Sequence, residues 1–123
     1  WNIYGKSALG SPKAAKARIM EGALYDASVV PIEIMETVLE VMRLLKILGE
    51  KGSRIAVSDV GVGVLFAQAA LEGASLNVFI NTKLMKDRGR AEDGIYDCGR
   101  QGMEGNHLSG RPWPYPVDRR NLI

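Results

Sequence analysis

The chain has 123 residues, 46% of them apolar, and a formal net charge of +2; this suits one small domain or part of a larger one, and the charge is too small to imply a nucleic-acid partner by itself. Its single cysteine, Cys98, excludes an internal disulfide and fits a reducing, cytoplasmic setting. No uninterrupted apolar run approaches the ~20 residues a membrane span needs, no signal peptide is visible, and the start at Trp1 suggests a fragment or a processed product.

Residues 1–12 read as a broken lead-in ending at Ser11-Pro12. From Lys13 to about Val29 the pattern is helical, with Ala15, Ile19, Ala23 and Ala27 four apart and Leu24 beside them. Pro31 then restarts the chain in the first turn of a second helix, where its missing N–H is no loss, and Glu33 and Glu36 follow where negative charge is favoured. Ile32, Met35, Leu39, Met42 and Leu45 mark its apolar face. Ile34, Val38, Val41, Leu44, Ile47 and Leu48 widen that face so far that the helix must be covered on more than one side. Gly49 and Gly52 close it.

Ser58 is the expected N-cap of the next helix, with Asp59 just inside. Residues 60–71 are nearly all apolar, and a buried strand over 60–66 is the rival reading. Helix is favoured because Phe66–Glu72 continues the pattern without a turn signal. Gly61 and Gly63 fit a helix only where another helix approaches closely. Gly73 marks a break or a tight contact, and Leu76, Phe79, Ile80, Lys83 and Leu84 indicate a further helix to about Arg88. Beyond it, six glycines between Gly89 and Gly110 and the run Arg111-Pro-Trp-Pro-Tyr-Pro predict that 89–123 is a mostly irregular tail. The expected architecture is therefore an all-α helical bundle over 13–88 with that tail attached.

Three segments carry a resemblance. They are Val30-Pro31-Ile32-Glu33-Ile34 after an alanine-rich helix, the loop from Glu50 through Gly52 to Ser58-Asp59-Val60-Gly61-Val62, and Asn77-Val-Phe-Ile-Asn81 after Gly73. In order and spacing they resemble the C-terminal part of the formimidoyltetrahydrofolate cyclodeaminase / methenyltetrahydrofolate cyclohydrolase family. The chain departs from that family in having Ser53 where many members carry asparagine. It lacks the family's N-terminal Pro-x-Pro-Gly-Gly-Gly loop, and the glycine-rich tail stands where the family continues into a long helix.

The resemblance implies a folate one-carbon enzyme, either the cyclohydrolase (a hydrolase) or the cyclodeaminase (a lyase). Its substrate is a tetrahydrofolate derivative, it uses no cofactor, and it forms a homodimer. Both reactions pass through a tetrahedral carbon beside an amidine-like cation, and both benefit from a carboxylate near that cation and from proton transfer. Asp59 is the candidate for the carboxylate, next to Ser58; the alternative is that the pair only caps a helix. Asn77 and Asn81, four apart on one helical face, are candidates to orient the substrate, or else to bond between helices. Lys83 and Lys86, with Arg88 and Arg90 beyond, are candidates to attract the anionic glutamate tail, or else a solvated helix end. Ser53 and Arg54 belong to a pocket mouth or a solvated loop. His107 lies in the tail, one histidine and one cysteine make no metal site, and Gly61/Gly63 lack the strand–turn–helix context of a dinucleotide loop. Two other readings compete: a catalytically inactive helical dimerisation module, supported by the very apolar helices, and a nucleic-acid contact through Arg111, Arg119 and Arg120, which no binding fold accompanies. The expectation is no nucleic acid and no membrane.

Overall fold

The computed structural model of the chain describes residues 12–111. These form α1 (Pro12–Lys51), a short 3-10 turn (Arg54–Ala56), α2 (Val57–Leu84) and α3 (Arg88–Ser109). No strand occurs among the described residues, so the all-α expectation holds and the strand alternative at 60–66 does not.

The helices run up, down and up. Asn81 of α2 bonds to Ala27 of α1 towards one end of the bundle, and Gly63 of α2 lies against Leu45 of α1 towards the other. α3 then returns parallel to α1, with Cys98 Sγ 3.6 Å from Met35 Sδ, Gln101 Nε2 3.4 Å from Glu36 Oε1 and Arg43 paired with Glu104. The core follows from the periodicity. Met35, Leu39 and Met42 of α1 meet Ala67, Leu71, Ala74, Val78 and Phe79 of α2, and Ile95 and Cys98 of α3 close the third side. Fully buried Met35 and Leu71 each contribute about 1.5–3 kcal/mol relative to exposure. A smaller cluster of Leu24, Met85 and Ala91 ties the opposite end together.

Four expectations are corrected. Pro31 does not restart the chain: it lies buried inside one 40-residue helix. A mid-helix proline removes one i→i−4 bond, here the one to the Ala27 carbonyl, and α2 supplies the replacement described below. Gly73 does not break the next helix, since α2 runs through it for 28 residues. Ser58 is not an N-cap: the 3-10 turn leads directly into α2, whose N-cap Ala56 makes no side-chain bond, and Ser53 is the capping serine, its Oγ accepting from the Ile55 N–H at 3.2 Å.

The fourth correction concerns 89–109, which is helical. The Asp87 carboxylate caps the start by accepting from the Arg90 N–H, and Gly110 ends the helix in the left-handed conformation at φ 74°. Gly99, Gly102 and Gly105 lie on its buried face, so the glycines lower helix propensity yet permit close approach. A Cβ at Gly105 would collide with Leu71. Pro12, expected in the lead-in, is the first residue of α1, a favoured site for proline. The rest of the lead-in and the Pro-rich 112–123 lie outside the described residues.

α2 with its preceding turn, Arg54–Leu84, is also long and apolar enough to cross a membrane by length and composition. Counting uninterrupted apolar residues missed this, because Gly, Ser and Gln punctuate a segment whose average is nonetheless apolar.

The two kinds of helical glycine respond oppositely to alanine. Gly105→Ala overpacks the core and lowers unfolding stability by about 1–3 kcal/mol. Gly22→Ala, where a Cβ meets nothing within 4 Å, raises it by about 0.5–1 kcal/mol. Urea denaturation of both variants checks this; equal effects would contradict the packing described.

Candidate functional site

Where α1 passes the α2–α3 connection, two adjacent depressions open. The first is a cleft of about 340 Å³, within the range of small-molecule sites. Tyr25, Val29 and Ile32 of α1 form one wall, and Met85 with buried Thr82 form the floor. Arg90, Asp93, Gly94 and Asp97 of α3 form the other wall. Asp93 and Asp97 are four apart, so one helical face carries both carboxylates. The Arg90 guanidinium lies over the Tyr25 ring, 4.6 Å from its centroid, and 3.7 Å from an Asp87 oxygen. Asp97 has Arg100 at 4.0 Å. Gly94 keeps this wall thin: a Cβ there would meet Thr82 Cγ2 at 3.3 Å.

The second depression, of about 310 Å³, lies one helical turn towards the start of α1. Ala17, Met20 and Leu84 make its apolar base, and Lys13, Lys16 and Lys86 line it with Glu21. Met85 of the cleft and Lys86 of the groove are consecutive residues, so the two spaces adjoin. One is acidic and the other is basic.

Glu21 holds this region in place. Its carboxylate accepts from the Lys86 N–H at 2.8 Å and the Asp87 N–H at 2.9 Å, which fixes the α2–α3 connection on α1. These two backbone bonds lower its pKa below the ordinary glutamate value.

Of the sequence candidates, Lys86 lines the basic groove and exposed Lys83 stands one turn before it. Asn81 is occupied structurally: its Nδ2 donates to the Ala27 carbonyl at 3.3 Å and to the Asn77 carbonyl at 2.9 Å. The amide therefore bonds the carbonyl that Pro31 leaves without its helical donor. Asn77 is exposed and reaches only its own helix, at 3.5 Å from the Gly73 carbonyl. Exposed Ser58 and Asp59 are at the other end of α2. Asp59 borders a shallow depression with Leu45, Leu48, Gly52, Ser53, Ala56 and Val60. At 1.5 Å per residue, Asp59 is ~27 Å along the helix from Asn77, so one chain does not bring them to one substrate. Sequence reasoning missed Tyr25, Asp93, Asp97, Lys13 and Lys16. The i, i+4 aspartates were a legible signal once 89–109 is read as helix.

No group of three or more potential metal ligands forms among the described residues. Cys98 is buried in the core, and that burial, with Asp97 adding to it, pushes its thiol up to about 12, so it is inert.

Comparison with known proteins gives a concordant result. The formiminotransferase-cyclodeaminase family model matches residues 6–96. A methenyltetrahydrofolate cyclohydrolase from Methylorubrum extorquens is 43% identical over 99 residues, 80% of this chain. The match covers 48% of that relative, so the chain spans about half the length of the curated protein it resembles. No solved structure matches.

Two variants test how the site is held. Asn81→Ala costs about 0.5–1.5 kcal/mol of unfolding stability, because it leaves the Ala27 carbonyl with water as its donor. In a Pro31→Ala background, where residue 31 regains its N–H, the same change costs clearly less. A double-mutant cycle measures the difference, and additive effects would show that the two residues are not linked. Glu21→Gln lowers the melting temperature at pH 7. Because the folded pKa is depressed, this stabilisation is present above the unfolded value of about 4.3 and disappears as pH falls through the lower folded value. Melting curves of the variant and the parent chain should therefore converge in acid.

Proposed function

The chain belongs to the formiminotransferase-cyclodeaminase family, and from that premise we propose that it acts on the one-carbon bridge of a tetrahydrofolate derivative, by hydrolysing the methenyl ring or closing the formimidoyl group. The observation that carries this reading is the adjoining acidic cleft and basic groove. The substrate has the same polarity: a cationic amidine-like ring at one end and an anionic glutamate tail at the other.

In this reading the ring end enters the cleft. One carboxylate of the Asp93/Asp97 pair faces the cation, and the other accepts the proton of the water that adds to the bridging carbon. The tetrahedral adduct then loses its hydroxyl proton to solvent as one carbon–nitrogen bond breaks, the freed nitrogen takes back the proton held by the carboxyl, and the ring opens to a formyl group. Val29, Ile32 and Met85 supply apolar cover, and Lys86, Lys13 and Lys16 attract the tail. Lys83 extends that basic edge. Asp59, the carboxylate suggested by sequence resemblance, is the competing assignment, and Ser58 goes with it. Asn81 then acts by shaping the α1–α2 contact, with the Asn77 carbonyl accepting its second bond.

Absorbance loss of methenyl-tetrahydrofolate, measured beside binding of a non-reactive folate, tests the proposal. Asp93→Asn and Asp97→Asn should each reduce kcat/KM by about 10²-fold or more, the scale of a positioned acid–base group. Lys86→Ala should raise KM with little change in kcat. Loss of turnover in a folded Asp59→Asn chain, with both cleft variants unaffected, moves the chemistry to Asp59. A folded chain that neither binds folate nor turns substrate over leaves the second reading, an inactive helical interaction module. The many exposed apolar side chains of α1 and α2, Val30, Leu44, Phe66 and Ile80 among them, favour that reading.

A further inference from the structure

The cleft between α1 and the start of α3 already holds a cation, supplied by its own wall. Arg90 is the one positively charged residue among those that line it. Its guanidinium carbon lies 4.6 Å from the centroid of the Tyr25 ring, within the range of a cation held over an aromatic face. Arg90, Asp93 and Asp97 follow one another at steps of three and four residues, so they form one stripe of α3. The cleft thus combines an aromatic plate on α1 with two carboxylates on α3. The group resting on the plate is a flat cation whose charge is spread over the nitrogens around one carbon, the same electronic form as an amidinium.

The hold on this guanidinium is loose. The Arg90 side chain is 56% exposed, and a second contact, to an Asp87 oxygen, is 3.7 Å long. Exposed pairs and stacks of this kind are weak. The helix cap does not use the guanidinium, because Asp87 Oδ1 accepts from the Arg90 backbone N–H at 3.2 Å, and that bond remains when the side chain turns away. Arg88 gives the contrast. Its Nη1 donates to the Thr82 carbonyl at 3.0 Å and to the Met85 carbonyl at 3.1 Å, which fastens the end of α2. One arginine builds the connection, and the other can leave without undoing it.

We propose that the cleft is a site for a planar, amidinium-type cation and that Arg90 is its built-in occupant, displaced from Tyr25 by an incoming ligand of the same shape and charge. Turning Arg90 out bares the Tyr25 face and leaves Asp93 and Asp97 in a cleft whose other lining residues carry no positive charge. A flat cation replaces the guanidinium in both respects at once. A flat neutral ring gains the stack without the charge, and a compact, strongly hydrated ammonium gains the charge without the stack. The exchange therefore selects ligands that are both flat and cationic. The inference rests on the reaction proposed above for the identity of the natural ligand, a tetrahydrofolate carrying an amidinium bridge, and on the geometry of the cleft for the rest.

Calorimetric titration of the 123-residue chain with benzamidinium, its neutral analogue benzamide and the non-planar cation benzylammonium tests it. Arg90→Gln should tighten benzamidinium binding about three- to tenfold and leave benzamide and benzylammonium nearly unchanged. In the Arg90→Gln background, Tyr25→Leu should abolish the gain and Tyr25→Phe should keep it, since the ring face and not the hydroxyl is used. Circular dichroism melts establish that each variant folds. Arg90→Lys, which keeps the charge but stacks poorly, should give a smaller gain and serves in place of Arg90→Gln if that variant unfolds. With methenyl-tetrahydrofolate as substrate, Arg90→Gln should lower KM by a similar factor. Benzamidinium binding that is absent, unchanged or weaker in the folded variants overturns the proposal, as does an equal gain for benzamide. Turnover alongside such a result leaves the reaction standing without the displaceable occupant. Tighter benzamidinium binding by a chain that neither binds folate nor turns substrate over upholds the cation site and removes the reaction assigned to it.

Discussion

The structure depends on a single exchange of hydrogen bonds. Pro31, buried within α1, has no N–H to give the Ala27 carbonyl, and the Asn81 side chain donates to that carbonyl from α2. A continuous α1 through a proline leaves a carbonyl that needs a donor from another element or from water. Here the donor also sets how far α2 slides along α1, because Asn81 must stand level with Ala27. That register places Gly63 against Leu45 at the far end, and it places Thr82 and Met85 beneath the cleft. The Val-Pro and Asn-Val-Phe-Ile-Asn segments, far apart in sequence, are thus two halves of one contact.

This explains what was legible in the sequence and what was not. Helical periodicity identified Met35, Leu39 and Met42 as a core face, and the continuation through Phe66–Glu72 without a turn signal favoured helix over strand across 60–66. The boundaries were misplaced at Pro31 and Gly73 because local propensity counts a missing donor or a missing side chain as a stop. It cannot see that a distant side chain supplies the missing donor at Pro31, or that one glycine costs a long apolar helix only about 1 kcal/mol at Gly73. The same limit hid α3. Its glycines are poor helix formers singly, but Gly105 lies where a larger residue would strike Leu71. Asp87 and Gly110 bound that helix as its cap and its terminator, residue types that commonly mark helix ends.

The candidate site was partly legible for a related reason. Lys86 was found because basic residues cluster in sequence around it. Tyr25, Lys13 and Lys16 lie about sixty to seventy residues earlier, and Asp93 and Asp97 fall in the stretch read as irregular, so no sequence window contains the cleft. Glu21 brings these distant parts together: one carboxylate holding two consecutive N–H groups fixes the α2–α3 connection, and with it Lys86 and the start of α3, against α1. The acidic and basic depressions are neighbours because of that clamp, not because their residues are neighbours in the chain.

α2 shows how one helix serves several neighbours. Leu71, Val78 and Thr82 face the core, and Asn81 reaches α1. That leaves the arc from Val62 through Ala69 and Gly73 to Ile80 uncovered among the described residues. A helix apolar nearly all round is stable in water only when each side is buried, and a chain of this size has too few other elements to do so. The same excess makes α2 with its preceding turn long and apolar enough to cross a membrane by length and composition.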